Sequence, residues 1–417
     1  MTQSGTAAVA RSNHHQVVVV GGGAAGIAAA ASMLRRKADL DIAIIEPSDT
    51  HAYQPGWTMV GGGIFKPEVT RRPMVSVMPK RAQWIKCKAA SFQPDDNQVT
   101  LEDGSTLRYD VLIVAPGIRL AWEKIAGLEE TLGKNGVTSN YSYDLAPYTW
   151  ELVKGLKSGR AIFSQPPMPI KCAGAPQKAM YLSCDHWRRT GVLGDIEVEF
   201  RNAGGVLFGV KDYVPALMSY VEKYGIALKL GNNLVAVDGP AQQATFATED
   251  GEVTRQFDML HVVPPQVAPR FLADSPLAAE SGFTDVDQHT LQHTRYPNVF
   301  GLGDGGSTPN AKTAAAARIQ APIVAVNALR ELEGKGPVAG YDGYGSCPLT
   351  VERGKIVLAE FAYGGKLAPS FPTWFIDGTK AQRLSWMLKA DALPWIYWNG
   401  MLKGREWLAG PGNMIAQ

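Results

Sequence analysis

Two of the four cysteines in this 417-residue chain stand where a thiol could react. Cys172 follows Lys171 in the loop Gln165–Gly174 and precedes a helix expected over Gln177–Trp187. A cationic neighbour and a helix N-terminus both favour the thiolate, the nucleophilic form. Cys347 sits in Tyr344-Gly345-Ser346-Cys347-Pro348, read as a second loop ahead of a strand over Lys355–Phe361. Spacing alone leaves both cysteines open between reactive and inert. Cys87 reads as a strand residue, and Cys184 as a helix residue among Met180, Tyr181 and Trp187, so both are expected in the core. Nothing reads C-x-x-C and no histidine pair completes a set, so no metal site is expected. His51 and Glu360 are candidate proton handlers, against the plainer reading of hydrogen-bonded loop and strand residues.

A second group of residues could hold phosphate. The β-branched run Gln16–Val20 reads as a buried strand and enters Gly21-Gly22-Gly23-Ala24-Ala25-Gly26. Gly21 permits a tight turn, Gly23 admits a pyrophosphate to the backbone, and Gly26 lets the next helix, Ile27 to about Arg36, pack on the strand. That helix offers unpaired N–H groups at its start. A second strand, Asp41–Ile45, ends in Glu46, placed to accept bonds from ribose hydroxyls. The order strand, fingerprint, helix, strand, acid is specific for a dinucleotide, and an acid there suits NAD or FAD. Further on, Val111–Ala115 leads into Pro116-Gly117, and Asn298–Gly303 into Asp304 and an alanine-rich helix around Ala314–Ala317. Lys312 lies where a cation could face a reduced ring, or could simply be a lysine in a helix first turn.

The chain also repeats itself once. Glu102-Asp103-Gly104 with Tyr109–Val114 recurs as Glu249-Asp250-Gly251 with Phe257–Val262. Two similar halves predict two Rossmann-like dinucleotide-binding domains, an α/β architecture with the second inserted in the first. The second copy fails at its fingerprint. Its strand, Arg160–Ser164, feeds a segment with Pro166, Pro167 and Pro169, which removes backbone donors where a phosphate would sit. A nicotinamide phosphate therefore has no cradle there, and NAD(P)H is not expected as the main partner.

Taken together, the glycine fingerprint, the Val111–Gly117 block and the Gly303-Asp304 block resemble the flavoproteins related to glutathione reductase. The resemblance implies FAD, with Asp304 as a ligand and Gly21, Gly23, Ala24, Ala25, Gly26, Glu46, Gln54, Pro55, Ala115, Gly117, Gly303 and Lys312 around it. The stretch Pro169–Lys178, with Ser346-Cys347-Pro348-Leu349, Leu358–Phe361, His51–Trp57 and Lys312–Ala316, is similar to sulfide:quinone oxidoreductases, in the branch that includes the mitochondrial enzyme. The likeness runs from about residue 16 to 410. It implies that Cys172 and Cys347 form a redox pair bridged by a disulfide or a trisulfide. Which of the two faces the flavin stays open, with Cys172 toward the flavin and Cys347 as sulfur donor the preferred assignment. It also implies hydrogen sulfide as donor, ubiquinone or another membrane quinone as electron acceptor, and a small sulfur acceptor. Many relatives carry a third cysteine that Gly133–Trp150 lacks, which puts a covalent flavin link in doubt.

Composition frames these sites. With 41 basic and 39 acidic side chains the chain has no global attraction for nucleic acid. Four cysteines are too few for a disulfide scaffold, no apolar run reaches spanning length, and residues 1–15 lack the apolar core of a secretory signal. Five of the ten tryptophans lie between Trp374 and Trp407, amid Lys380, Arg383, Lys389, Lys403 and Arg405. Ala381, Leu384, Met387 and Leu388 are read on one helical face, Pro394 as that helix's end, and Trp395, Trp398 and Leu402 on one face of the next. Amphipathic helices of this kind suit an interfacial membrane anchor. The plainer reading is a helical pair buried against the body or against a partner copy in a homo-oligomer. Phe361, Tyr363, Trp374 and Phe375 are the expected quinone-lining residues.

The expected organisation is a flexible tail over 1–15, an FAD domain over 16–120 and 291–335, a second Rossmann-like domain over 121–290, and a quinone-pocket and anchor region over 336–417. A peripheral enzyme on the cytoplasmic face of the inner membrane is the leading expectation. The alternatives are an NADH:quinone oxidoreductase, a sulfide dehydrogenase subunit serving cytochrome c, and a non-enzymatic redox sensor.

Overall fold

A computed structural model describes residues 13–410 of the chain, so most of the expected tail lies outside the described residues. The first strand, His14–Val20, starts two residues earlier than its apolar run, because His14 and His15 continue the parallel register with Arg108 and Tyr109. It is the centre of a seven-stranded sheet. Parallel neighbours Ile42–Ile45 and Thr106–Val114 flank it, Gln83–Ile85 lies beyond Ile42–Ile45, and Val299–Gly301 pairs with Thr106–Val114. These strands are apolar on both faces because helices Ala24–Arg36 and Ala314–Glu331 cover one of them, and Phe92, Val99, Leu107 and Leu272 form a second core on the other. Cys87 is not in a strand; it occupies the bend between Gln83–Ile85 and Ala89–Gln93, half-buried against the core of this sheet.

The second sheet is wholly parallel, ordered Val137–Thr138, Met259–His261, Gly159–Gln165, Ile196–Asn202 and Ala227–Leu230. Its strand Gly159–Gln165 leads through the proline-rich connection to helix Ala175–Thr190, which buries Met180, Tyr181, Cys184 and Trp187. Cys184 is a core residue, as its helical neighbours imply, and burial pushes its thiol up.

The C-terminal part bonds the two layers together. Strands Gly345–Glu352 and Lys355–Phe361 form an antiparallel ladder packed on helix Ala175–Thr190. Cys347 is thus a strand residue facing Ala359 and 2% exposed, not a loop residue. Pro348 misled the reading: proline is tolerated here because Gly345–Glu352 is the edge strand of its sheet. Further on, Arg383–Met387, a π-helical turn Leu388–Ala392 and Leu393–Asn399 follow one another without a break. Pro394 therefore opens the last segment instead of ending the one before. The π turn rotates the faces, so Met387 and Trp395 are exposed while Tyr397, Trp398 and Leu402 enter the first core. No helix among the described residues is long and apolar enough to cross a membrane.

Candidate active site

The sulfur atoms of Cys172 and Cys347 lie 3.5 Å apart. Cys172 adopts a left-handed backbone, φ +49°, strain of the kind that folds retain at functional positions. Its N–H donates to the Lys312 carbonyl at 2.7 Å, and its own carbonyl accepts from Ala175 N at the helix start and from Tyr141 Oη at 3.3 Å. Gly174 completes the approach. A methyl group there would come within 2.5 Å of both Cys347 Sγ and a Leu349 methyl.

The cation that serves the pair is not Lys171. Lys171 turns away, donating to Gln54 Oε1 at 2.5 Å and lying over the Trp57 and Tyr141 rings. Lys178 instead donates to Cys172 Sγ at 2.9 Å. It sits in the first turns of helix Ala175–Thr190, and helical side chains lean back toward the N-terminus, which aims it at the loop. The hydrogen bond with Cys347 and the charge of Lys178 hold the Cys172 thiol well below its ordinary range, against the opposing effect of burial. The same hydrogen bond, with burial, pushes Cys347 up.

A second cation arrives from the far end of the chain. Lys389, in the π turn, is buried and donates to the Pro55 carbonyl at 3.3 Å. Burial brings it down to about 7, with Lys178 pushing the same way and the two cysteines opposing. The basic surplus of this segment reads as surface; Lys389 is the exception, visible only once the segment folds back over Gln54–Trp57. Lys178, Lys389 and Tyr141 are the site residues that sequence reasoning missed, although Lys178 stands inside the Pro169–Lys178 block.

The dinucleotide cradle forms beside this pair. Gly21, at φ +105°, passes so close to Ala115 that a methyl would meet its carbonyl at 2.2 Å, and at Gly26 a methyl would meet the Gly21 carbonyl at 2.0 Å. Gly23 faces open space, with nothing within 4 Å. Ala24 and Ala25 begin helix Ala24–Arg36 behind it. Glu46 accepts from Gly22 N and Ser48 N, both at 2.8 Å, which leaves carboxylate lone pairs for a ribose. Gly303, at φ +69°, and Gly117, at φ +76°, bring Asp304 to the same crevice. No donor among the described residues bonds the Asp304 carboxylate, and burial raises it, with Lys171 and Lys312 opposing. A half-buried acid without a donor and a glycine opening on space fit the pyrophosphate and sugar of FAD. Lys312 donates to the Asp304 and Gly306 carbonyls at 2.9 and 2.8 Å, and burial lowers it to about 8.

The remaining candidates separate. His51 Nδ1 lies 3.2 Å from the Gly22 carbonyl, so it must donate; Nε2 then accepts from Tyr397 Oη at 2.6 Å. Burial lowers its pKa to about 4 and leaves it a neutral structural link. Glu360 accepts from Tyr344 Oη at 2.6 Å and Ser370 Oγ at 2.5 Å. Tyr344, Ser370 and Tyr363 line a cavity of about 1130 Å³ together with Ile319, Tyr341 and Leu408. Phe361 packs edge-on against Phe208 instead of lining it, and Trp374 and Phe375 stand outside it, 85% and 48% exposed. A turn closed on the Pro372 carbonyl buries Ile376 and turns its two aromatic neighbours outward.

Fold and site together define a flavin-dependent oxidoreductase of two dinucleotide-binding domains, with two cysteine sulfurs in contact. Residues 15–149 match the family described as pyridine nucleotide-disulphide oxidoreductase. The chain is 44% identical to the mitochondrial sulfide:quinone oxidoreductase of Dictyostelium discoideum, covering 88% of this chain and 80% of that protein. It is 41% identical to the mouse mitochondrial enzyme, covering 89% and 83%. The chain belongs to the sulfide:quinone oxidoreductase family and is an FAD flavoprotein. The crystal structure of the Aquifex aeolicus enzyme has the same fold, with a TM-score of 0.77 at 19% identity, covering 93% of this chain and 91% of that one. A chain in the mitochondrial ATP synthase of Tetrahymena thermophila also shares it, with a TM-score of 0.82 at 21% identity, covering 94% and 96%.

Proposed function

We propose that this protein oxidises sulfide through a bridge between Cys172 and Cys347 and passes the electrons by way of FAD to a quinone at a membrane surface. The observation that carries the reading is the 3.5 Å sulfur pair with the Lys178 ammonium 2.9 Å from Cys172. Hydrosulfide attacks the bridge, one cysteine takes the new sulfur as a persulfide, and the other leaves holding the electron pair, as a thiolate from a disulfide or as a persulfide from a trisulfide. The persulfide sulfur passes to a small nucleophilic acceptor, a thiol or sulfite, which frees the second cysteine as a thiol. FAD held in the crevice of Gly21, Gly23 and Asp304 would supply the two-electron acceptor that lets the bridge reform and a donor for quinone.

The inequality of the pair supports distinct roles. Cys172, held against Lys312 and lowered, is the thiolate on the cofactor side; Cys347, buried and raised, is the better sulfur carrier. Two sulfurs joined through one bridging sulfur span about 3.3 Å, since each S–S bond is about 2.05 Å, so their spacing supports a trisulfide bridge. We assign the quinone to the cavity with Ile319, Tyr341 and Tyr344 on its wall, where Glu360 bonded to Tyr344 and Ser370 can supply protons. Exposed Trp374, Phe375, Met387 and Trp395 support a peripheral seat on the membrane.

Anaerobic mixing of the flavoenzyme with sulfide, then with decylubiquinone, tests the reading. Wild type should bleach and recover, while Cys172→Ser and Cys347→Ser should not bleach. Full bleaching in both variants would overturn it.

A further inference from the structure

The exposed end of the C-terminal segment interleaves indoles with cations drawn from two distant parts of the chain. Trp395 and Trp407, 57% and 39% exposed, stack with centroids 5.2 Å apart and planes 3° off parallel. The Arg405 guanidinium lies 5.5 Å from the Trp407 ring centroid. From the N-terminal domain, Arg72 lies 4.2 Å over the ring of Trp398, three residues after Trp395. Lys403 reaches across to the Ser76 carbonyl at 3.2 Å, and Arg72 and Lys80 are the charges that bear on it after burial. None of Arg72, Lys80, Lys403 and Arg405 pairs with a carboxylate in the described residues; the adjacent Glu406 is taken by Arg36. A chain whose net charge is only +2 thus gathers four unpaired cations beside its exposed indoles.

We infer that this face binds anionic phospholipid headgroups, with Arg72, Lys80, Lys403 and Arg405 on the phosphates and Trp395 and Trp407 at the acyl boundary. The inference rests on the membrane reading above and adds the charge of the lipid to it. Neutral headgroups satisfy the indoles alone. Anionic ones also satisfy cations that no carboxylate serves, and several basic residues near such a surface act together. The four cations should favour anionic over neutral vesicles by about a hundredfold or more at low salt.

Flotation of the flavoenzyme with phosphatidylcholine vesicles, and with vesicles also containing phosphatidylserine, reads this directly. Wild type should partition at least about a hundredfold more strongly to the serine-containing vesicles, and added salt should erase that advantage. Lys403→Glu with Arg405→Glu should bind both vesicles equally and keep sulfide-dependent bleaching, which shows the fold intact. Lys80→Glu provides a second variant and should give part of the loss. Equal wild-type binding to both vesicles would overturn the headgroup assignment while leaving the membrane reading standing. Binding to neither would overturn both.

Discussion

At the redox pair, two thiols in contact carry opposite shifts. Cys172 is lowered by its hydrogen bond with Cys347 and by Lys178; Cys347 is raised by that same bond and by burial. In the reduced enzyme, iodoacetamide in mildly acidic buffer should label Cys172 before Cys347. Lys178→Met should slow that labelling by about tenfold or more, since only the thiolate reacts; an unchanged rate would remove Lys178 from the site. Lys389 adds a pH dependence. Its value of about 7 lies below the usual lysine range, so it is a cation below that pH and neutral above. Its support for the thiolate therefore fades as pH rises through 7. Wild-type Cys172 labelling should show a step there that Lys389→Met lacks, read from rate against pH. A lysine and a helix start flank Cys172 in sequence, but they left it open between reactive and inert, and it was the likeness of Pro169–Lys178 to sulfide:quinone oxidoreductases that singled it out. Which lysine acts was not, because adjacent residues along a loop point apart while Lys178, more than a helical turn away, leans back.

Among the elements, helix Ala175–Thr190 and the edge strand Gly345–Glu352 meet at Gly174. A methyl there would lie 2.5 Å from Cys347 Sγ, so Gly174→Ala must push the strand away from the helix. The expected outcome is retained FAD absorbance with sulfide bleaching lost, since the cradle of Gly21, Gly23 and Gly26 is on another element. Loss of both would mean that the substitution unfolds the chain. The strand, tight glycine turn and helix of the first domain were readable, because glycine spacing, β-branched runs and an acid at a strand end are local signals. The strand around Cys347 was not, since Gly-Ser-Cys-Pro carries turn chemistry that edge placement overrides. Nor was the phase of the last helices, which a π turn shifts without any residue to announce it.

The whole molecule is held by buried neutral groups as well as by its cores. His51 is brought down to about 4 and His261 to about 3, both by burial. Each binds a proton more readily unfolded, near 6.5, than folded. Stability contributed by each is therefore present above about pH 6.5 and lost as pH falls toward the folded value, at most about 3 kcal/mol for His51 and about 5 kcal/mol for His261. Urea midpoints should be flat above pH 7 and drop between about 6.5 and 4. His261→Phe, which loses one ring hydrogen bond to Asn140 N, should shrink the drop at some cost in stability at neutral pH. A midpoint that holds constant through acid would contradict this.

The redox centre draws its parts from the whole length of the chain: the Gln54–Pro55 carbonyls, Cys172 with Lys178, Cys347, and Lys389 near the end. Synthesis runs from the N-terminus, and domains can fold as they emerge. The FAD cradle can therefore form while the ribosome is still making the remainder. The sulfur pair cannot exist until the strand Gly345–Glu352 is out, and its second cation arrives only with the final turns. Birth order thus acts as a timer: until residues 345–352 have emerged, Cys172 has no Cys347 to meet.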